Sequence, residues 1–140
     1  VDIGAGAGIP GVPLHLVDPA IELTLMESRR KRVSFLSALK RELGLAQIGL
    51  LEGRAEDIAS EAPETKDRFD VAVTRAVSPT PKFLTACLKY VSLGGRVIVA
   101  GPPPGPDLPS LPVGFDADWA TVPYPGGKRR RLFLIVKRQA

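Results

Sequence analysis

The stretch Val1-Asp2-Ile3-Gly4-Ala5-Gly6-Ala7-Gly8-Ile9-Pro10-Gly11-Val12-Pro13-Leu14 decides the fold. It leaves an apolar strand, turns through closely spaced glycines and enters a helix at Pro10, where a missing amide is no loss in the first turn. Glycines let the chain turn tightly and let a ligand approach the backbone. Gly6-x-Gly8-x-x-Gly11 also satisfies the dinucleotide fingerprint, so the loop alone admits a nicotinamide cofactor as readily as a methyl donor. A tight βα turn with no ligand is the lesser alternative. Central parallel strands run about five residues or more, so Val1–Ile3 reads as the tail of a strand and the chain as part of a longer protein.

Outward from this loop, apolar segments at Ile21–Met26, Ile48–Leu51, Phe69–Thr74, Arg96–Ala100 and Leu132–Val136 read as further strands. Most are continuous apolar runs, as expected for strands buried on both faces of a sheet. Helical stretches lie between them. In Arg29–Leu43, Val33, Leu36, Leu39 and Leu43 form an apolar stripe, and Gly44 supplies a stop. Pro79–Tyr90 is a second helix, after which Gly94-Gly95 reads as a turn into the next strand. Pro10–Val17 and Ala55–Ser60 are shorter candidates. This alternation predicts an α/β fold with a mostly parallel, twisted sheet and helices on both faces. Residues 101–116 read as an extended, proline-rich connection, because six prolines there oppose a helix. A strand near Trp119–Tyr124 is weakly signalled. The whole chain, 1–140, reads as one domain.

Several residues at strand ends carry chemistry. Glu27 closes the second strand, at the carboxyl edge where open α/β sheets bind ligands, and a carboxylate there can accept from both ribose hydroxyls. Arg29 and Arg30 follow and would suit a 2′-phosphate, which keeps an NADP enzyme open. Ala55-Glu56-Asp57 follows the third strand; an acid there can accept from an adenine amino group, although Glu and Asp are also ordinary in a first helical turn. Arg75 ends the fourth strand and is expected in the same crevice. The run Arg29–Arg32 sets positive charge at the positive end of a helix, which hints at an anionic neighbour. His15 and Cys87 read as structural residues. No Cys/His cluster has metal-ligand spacing, and no Ser/His/Asp set stands out.

Composition narrows the class. The chain has 140 residues, 44% hydrophobic and 24% charged, which is ordinary for a globular domain and unlike a disordered or fibrous one. No apolar run reaches the ~18 residues of a membrane span. A single cysteine leaves no internal disulfide and fits a reducing cytoplasm, the expected location. The net charge of +4 leans toward a polyanionic partner, with basic clusters at Arg29–Arg32 and Lys128–Arg131. Arg29, Arg30, Lys128, Arg129 and Arg130 are the candidate contacts to such a polyanion.

These motifs, in this order, resemble the bacterial small-subunit (16S) ribosomal RNA guanine-N7 methyltransferase family, also called glucose-inhibited division protein B. The matching segments are Asp2–Leu14, Leu25-Met26-Glu27-Ser28 with Lys31-Arg32 and Phe35-Leu36, Gly53-Arg54-Ala55-Glu56, and Thr74-Arg75-Ala76-Val77. The Gly-Ile-Pro-Gly-Val-Pro extension is far more specific than the glycines. The resemblance covers residues 1–101 and resumes weakly over 124–138. It implies a Rossmann-like class I S-adenosylmethionine-dependent methyltransferase, with cofactor contacts at Gly4, Ile9, Glu27, Ala55, Glu56 and Arg75 and the loop glycines Gly6 and Gly8 beside them. Arg75 is the candidate positioning residue for catalysis. The implied substrate is a guanine of 16S ribosomal RNA, bare or in the small subunit, methylated at N7 by a monomer that needs no metal. The family carries a helical segment before the first strand. It also has Lys-Gly after the fifth, where this chain has Ala100-Gly101.

Overall fold

A computed structural model describes residues 1–75, 80–100, 114–124 and 128–137. The chain runs β1 (Asp2–Ile3), α1 (Gly11–Val17), β2 (Thr24–Glu27), α2 (Arg30–Glu42), β3 (Gly49–Glu52) and α3 (Ala55–Glu61). A single 3-10 turn at Pro63–Thr65 then leads to β4 (Phe69–Thr74), α4 (Pro81–Leu88), β5 (Val91–Val99), β6 (Phe115–Tyr124) and β7 (Lys128–Lys137). The strands form one sheet in the order β3-β2-β1-β4-β5-β7-β6. β1 to β5 are parallel, and β7 runs antiparallel to both β5 and β6. The order reverses between β1 and β4: the chain first builds outward through β2 and β3, then returns to the other side of β1. Such a switch point opens a crevice at the carboxyl ends of the strands.

Register explains the two layers of helices. Leu25 and Asp2 share one face, where Leu25 packs with Val12 of α1 and Leu36 of α2. Ile3 and Met26 share the other, packed with Ala55 and Ile58 of α3 and Phe83, Leu84 and Cys87 of α4. The alternating α/β reading and the two-faced helix cover are therefore observed. No described helix is long and apolar enough to cross a membrane.

Four expectations change. β5 begins at Val91, so Gly94-Gly95 lies inside a strand. Gly94 takes φ +78°, and the β4–β5 register shifts between Phe69 and Val71, so the glycines serve an irregularity in the ladder. β6 begins at Phe115, earlier than the weak signal near Trp119, and it absorbs the end of the supposed connection; 101–113 lies outside the described residues. The basic run Lys128–Arg131 belongs to β7. In the stripe of α2 only Leu36 is buried, whereas Leu43 caps the helix and is exposed.

Gly11 shows how closely α1 lies on β1. A Cβ at this position would come within 2.8 Å of Asp2 Oδ2 and 3.0 Å of Leu23 Cδ1. Replacing Gly11 by Ala overpacks that contact, and urea denaturation should report a loss of about 1–3 kcal/mol. Unchanged stability would show that α1 has room to retreat.

Candidate functional site

The crevice at the switch point is a cleft of about 900 Å³. Its floor is the glycine loop, which leaves β1 with Gly4, Gly6 and Gly8 at φ +76°, +59° and +82°. The amides of Gly4 and Ala5 both donate to the Met26 carbonyl, at 2.8 and 3.0 Å, so the loop folds across the end of β2. Gly8 is pinned from above, since its position is hemmed by Val12, Leu36 and Leu39.

Glu27 holds the centre. Its side chain is 3% exposed, yet it is well partnered. Oε2 accepts from the Gly6 amide, and Oε1 accepts from the amides of Ser28 and Arg29, each at 2.9 Å. The Arg32 guanidinium stands 3.7 Å from Oε2. A carboxylate offers about four acceptor positions, so three amides leave one. The sequence-level expectation of two ribose hydroxyls on Glu27 therefore narrows to one. The anionic neighbour expected for the basic start of α2 is Glu27 itself.

Other predicted residues gather around it. Gly4, Gly6, Ile9, Glu27, Arg29, Ala55, Glu56 and Arg75 all line the cleft. Gly8 does not; it is buried beneath α2. Arg30 is exposed outside the lining, and Lys128, Arg129 and Arg130 lie on β7. Arg75 follows the last residue of β4 and is exposed. Ala55 opens α3, and its carbonyl accepts from the buried Tyr90 hydroxyl at 2.5 Å. That bond ties the first turn of α3 to the end of α4, and burial pushes the Tyr90 hydroxyl up to about 12.

Sequence reasoning assigned no role to Asp2, Tyr90, Phe83 or Phe35. Phe83 and Phe35 line the cleft from α4 and α2. Phe35 is half exposed although it sits among core-like residues of its helix, a feature that periodicity alone could have flagged. His15 and Cys87 are structural, as expected. His15 Nδ1 lies 2.8 Å from the Ile21 carbonyl and Nε2 lies 2.9 Å from Gln47 Nε2, so a neutral ring donates to the first and accepts from the second. Burial pushes the Cys87 thiol up to about 12, which makes it a poor nucleophile. Among the described residues no group of three or more His, Cys, Asp or Glu could hold a metal.

With loop, carboxylate and strand-end residues in place, comparison with known proteins is decisive. The sequence profile described as rRNA small subunit methyltransferase G matches residues 1–100. The chain belongs to the rRNA small subunit methyltransferase G family. It is 45% identical over 98 residues to the ribosomal RNA small subunit methyltransferase G of Alkaliphilus oremlandii, covering 70% of this chain and 41% of that one. The counterpart from Oenococcus oeni is 42% identical over 99 residues, covering 71% and 40%. The chain thus spans about two fifths of the length of these relatives. Among solved structures it resembles TrmN from Thermus thermophilus, with a TM-score of 0.72 at 21% identity over 97% of this chain and 42% of that one. That likeness concerns the fold, and it agrees with the Rossmann-like sheet.

Asp2 allows a test by pH. It is fully buried, Oδ2 accepts from the Gly11 amide at 2.8 Å, and Oδ1 has no hydrogen-bond partner. Burial raises its pKa, against the Gly11 bond and the Arg75 charge. A carboxyl raised in the folded state adds stability at low pH and loses it as pH rises through the folded value. Urea midpoints of Asp2→Asn relative to the parent should therefore improve as pH rises above about 4, the ordinary carboxylate range, and level off above the raised folded value. A constant difference would mean that Asp2 titrates as if exposed.

Proposed function

We propose that this chain is the catalytic domain, residues 1–140, of an S-adenosylmethionine-dependent methyltransferase acting on N7 of a guanine in small-subunit (16S) ribosomal RNA. The observation that carries the reading is the buried Glu27 carboxylate at the end of β2, fixed by three amides with one acceptor position remaining. The donor set fits the cofactor. One ribose hydroxyl can donate to Glu27, and the turned backbone at Gly4 and Gly6 gives close approach. Ala55 and Met26 give a small apolar wall, and Glu56 gives an acceptor for an adenine amino group. Ile9 and Arg75 also line the cleft and would contact the cofactor, with Arg75 as the proposed positioning residue. Gly8 contributes indirectly, by holding the loop against α2.

When bound, S-adenosylmethionine supplies an electrophilic methyl group on a sulfonium. Guanine N7 carries a free lone pair and no proton, so the protein has no proton to remove and needs no general base. Its residues have to orient two partners in line and keep water out. Such positioning is worth up to about 7–11 kcal/mol of the barrier in favourable cases. Exposed Arg29 and Arg30 at the start of α2, with Lys128, Arg129 and Arg130 of β7, are the proposed contacts to RNA phosphates. The reading places the protein in the cytoplasm with ribosomal RNA, as a monomer.

Glu27→Ala removes the acceptor and strands three amides. It should weaken S-adenosylhomocysteine binding by tenfold or more in calorimetry, in the range of ~1.5–3 kcal/mol for a hydrogen bond to a charged group. Glu27→Gln, which keeps one oxygen, should retain more of the fold by circular dichroism while still binding weakly. Unchanged affinity in both variants would sink the cofactor assignment. Transfer of a labelled methyl group to small ribosomal subunits or bare 16S RNA, mapped to a guanine N7, tests the reaction. Cofactor binding without transfer would leave a binding domain in place of an enzyme.

A further inference from the structure

β5 and β7 pair from Arg96↔Val136 to Val99↔Phe133, and Val99 is level with Thr74, the last residue of β4. β7 is antiparallel, so its residues before Phe133 lie past the last paired residue of β4, with Leu132 level with Arg75 and Lys128–Arg131 beyond it. There, among the described residues, β7 pairs with β6 alone, from Ala120↔Leu132 out to Tyr124↔Lys128. Five residues of strand at about 3.3 Å each make an arm reaching about 16 Å beyond the edge that bears the cleft. β6 is the outer strand of the sheet, where Pro123 does not interrupt a ladder on its free side.

Charge is segregated along this hairpin. Asp116 and Asp118 pair with Val136 and Leu134, within the sheet. Lys128, Arg129, Arg130 and Arg131 all lie in the arm, and no acidic residue occurs between Trp119 and Arg131. Four successive cations repel one another, a cost that a polyanion alongside would relieve. Alternation divides them. Arg129 and Arg131 fall on the face of Phe133 and Ile135, the face that α4 covers and from which Phe83 lines the cleft. Lys128 and Arg130 fall on the opposite face, with Leu134. Trp119 stands opposite Phe133, on the same face as the two arginines. Aromatic residues beside arginines form the combination that holds unstacked RNA, with bases on rings and phosphates on guanidinium groups.

We propose that the β6–β7 arm grips the RNA strand flanking the target base, and that its Arg129/Arg131 face carries most of that grip. This rests on the RNA substrate reading above and adds where the strand runs: from the cleft mouth at Arg75 along the α4 side of the arm.

The test compares the full chain with R129Q/R131Q and K128Q/R130Q, titrated with a small-subunit ribosomal RNA transcript over a range of salt. Removing charge from the arm should leave S-adenosylhomocysteine binding unchanged. R129Q/R131Q should lose about tenfold in RNA affinity at low salt. Its log–log salt slope should flatten by about 1.4, the value for two lost phosphate contacts on a single strand. K128Q/R130Q should lose clearly less. Parent-like RNA affinity and slope in R129Q/R131Q would overturn the arm, and equal or greater loss in K128Q/R130Q would overturn the face. A parent chain that binds S-adenosylhomocysteine and no RNA would overturn the substrate reading itself.

Discussion

The carboxylate of Glu27 joins two pieces of backbone that have little else in common. One is the glycine loop, through the Gly6 amide; the other is the entry to α2, through the amides of Ser28 and Arg29. Amides at the start of a helix lack partners within it, and a negative charge there is favoured by the helix dipole. Glu27 supplies that charge from inside the fold. Arg30, Lys31 and Arg32 can therefore open α2, against the usual preference, because the acid beneath them offsets their repulsion from the dipole. Arg32, half exposed and 3.7 Å from Oε2, completes the arrangement without enclosing it.

A second constraint acts from below. Asp2 and Gly11 bring α1 onto β1 at a separation that no larger residue at position 11 allows. The loop is thus fixed at both ends: Gly4 and Ala5 on Met26, Gly11 on Asp2, with Gly8 pressed under α2 between them. Buried Asp2 is a costly way to hold a helix, since one of its oxygens has no partner. What the fold gains is a loop whose backbone directions are set before any ligand arrives. A reaction that proceeds by alignment alone depends on such advance ordering more than one driven by a strong base.

The parallel half of the sheet was legible because β2, β3 and β4 are largely apolar runs between glycine and helix signals. β5 was legible only in its second half. Gly94-Gly95 carries the composition of a turn, and nothing local distinguishes a turn from a bulge inside a paired strand. β6 was nearly invisible since Asp116, Asp118 and Pro123 interrupt it, as an outer strand permits and an inner strand would not. Within the site, the residue types at strand ends could be named: Glu27, Glu56 and Arg75. Their partners could not. Glu27 is held by backbone amides, which every residue but proline possesses, so no side-chain pattern announces them. The Tyr90 hydroxyl on the Ala55 carbonyl is hidden for the same reason, across thirty-five positions of chain.

Depth sorts the charges of the cleft. Glu27 is buried and Glu56 is half-buried, whereas Arg29, Arg32, Arg54 and Arg75 are exposed around the mouth. On the proposed reading, two ligands of opposite character must enter one crevice: a sulfonium cofactor that carries positive charge, and a polyanion. Acids at depth favour the first and would repel the second, while the rim of arginines does the reverse. The RNA is thereby kept at the surface, and only an uncharged base can follow the cofactor inward at low electrostatic cost. The arm of β6 and β7 extends the positive rim beyond the sheet, on the side where β4 and β5 end. A flexible strand held there can present one base to the cleft while its phosphates remain in solvent, which is where their hydration costs least to keep.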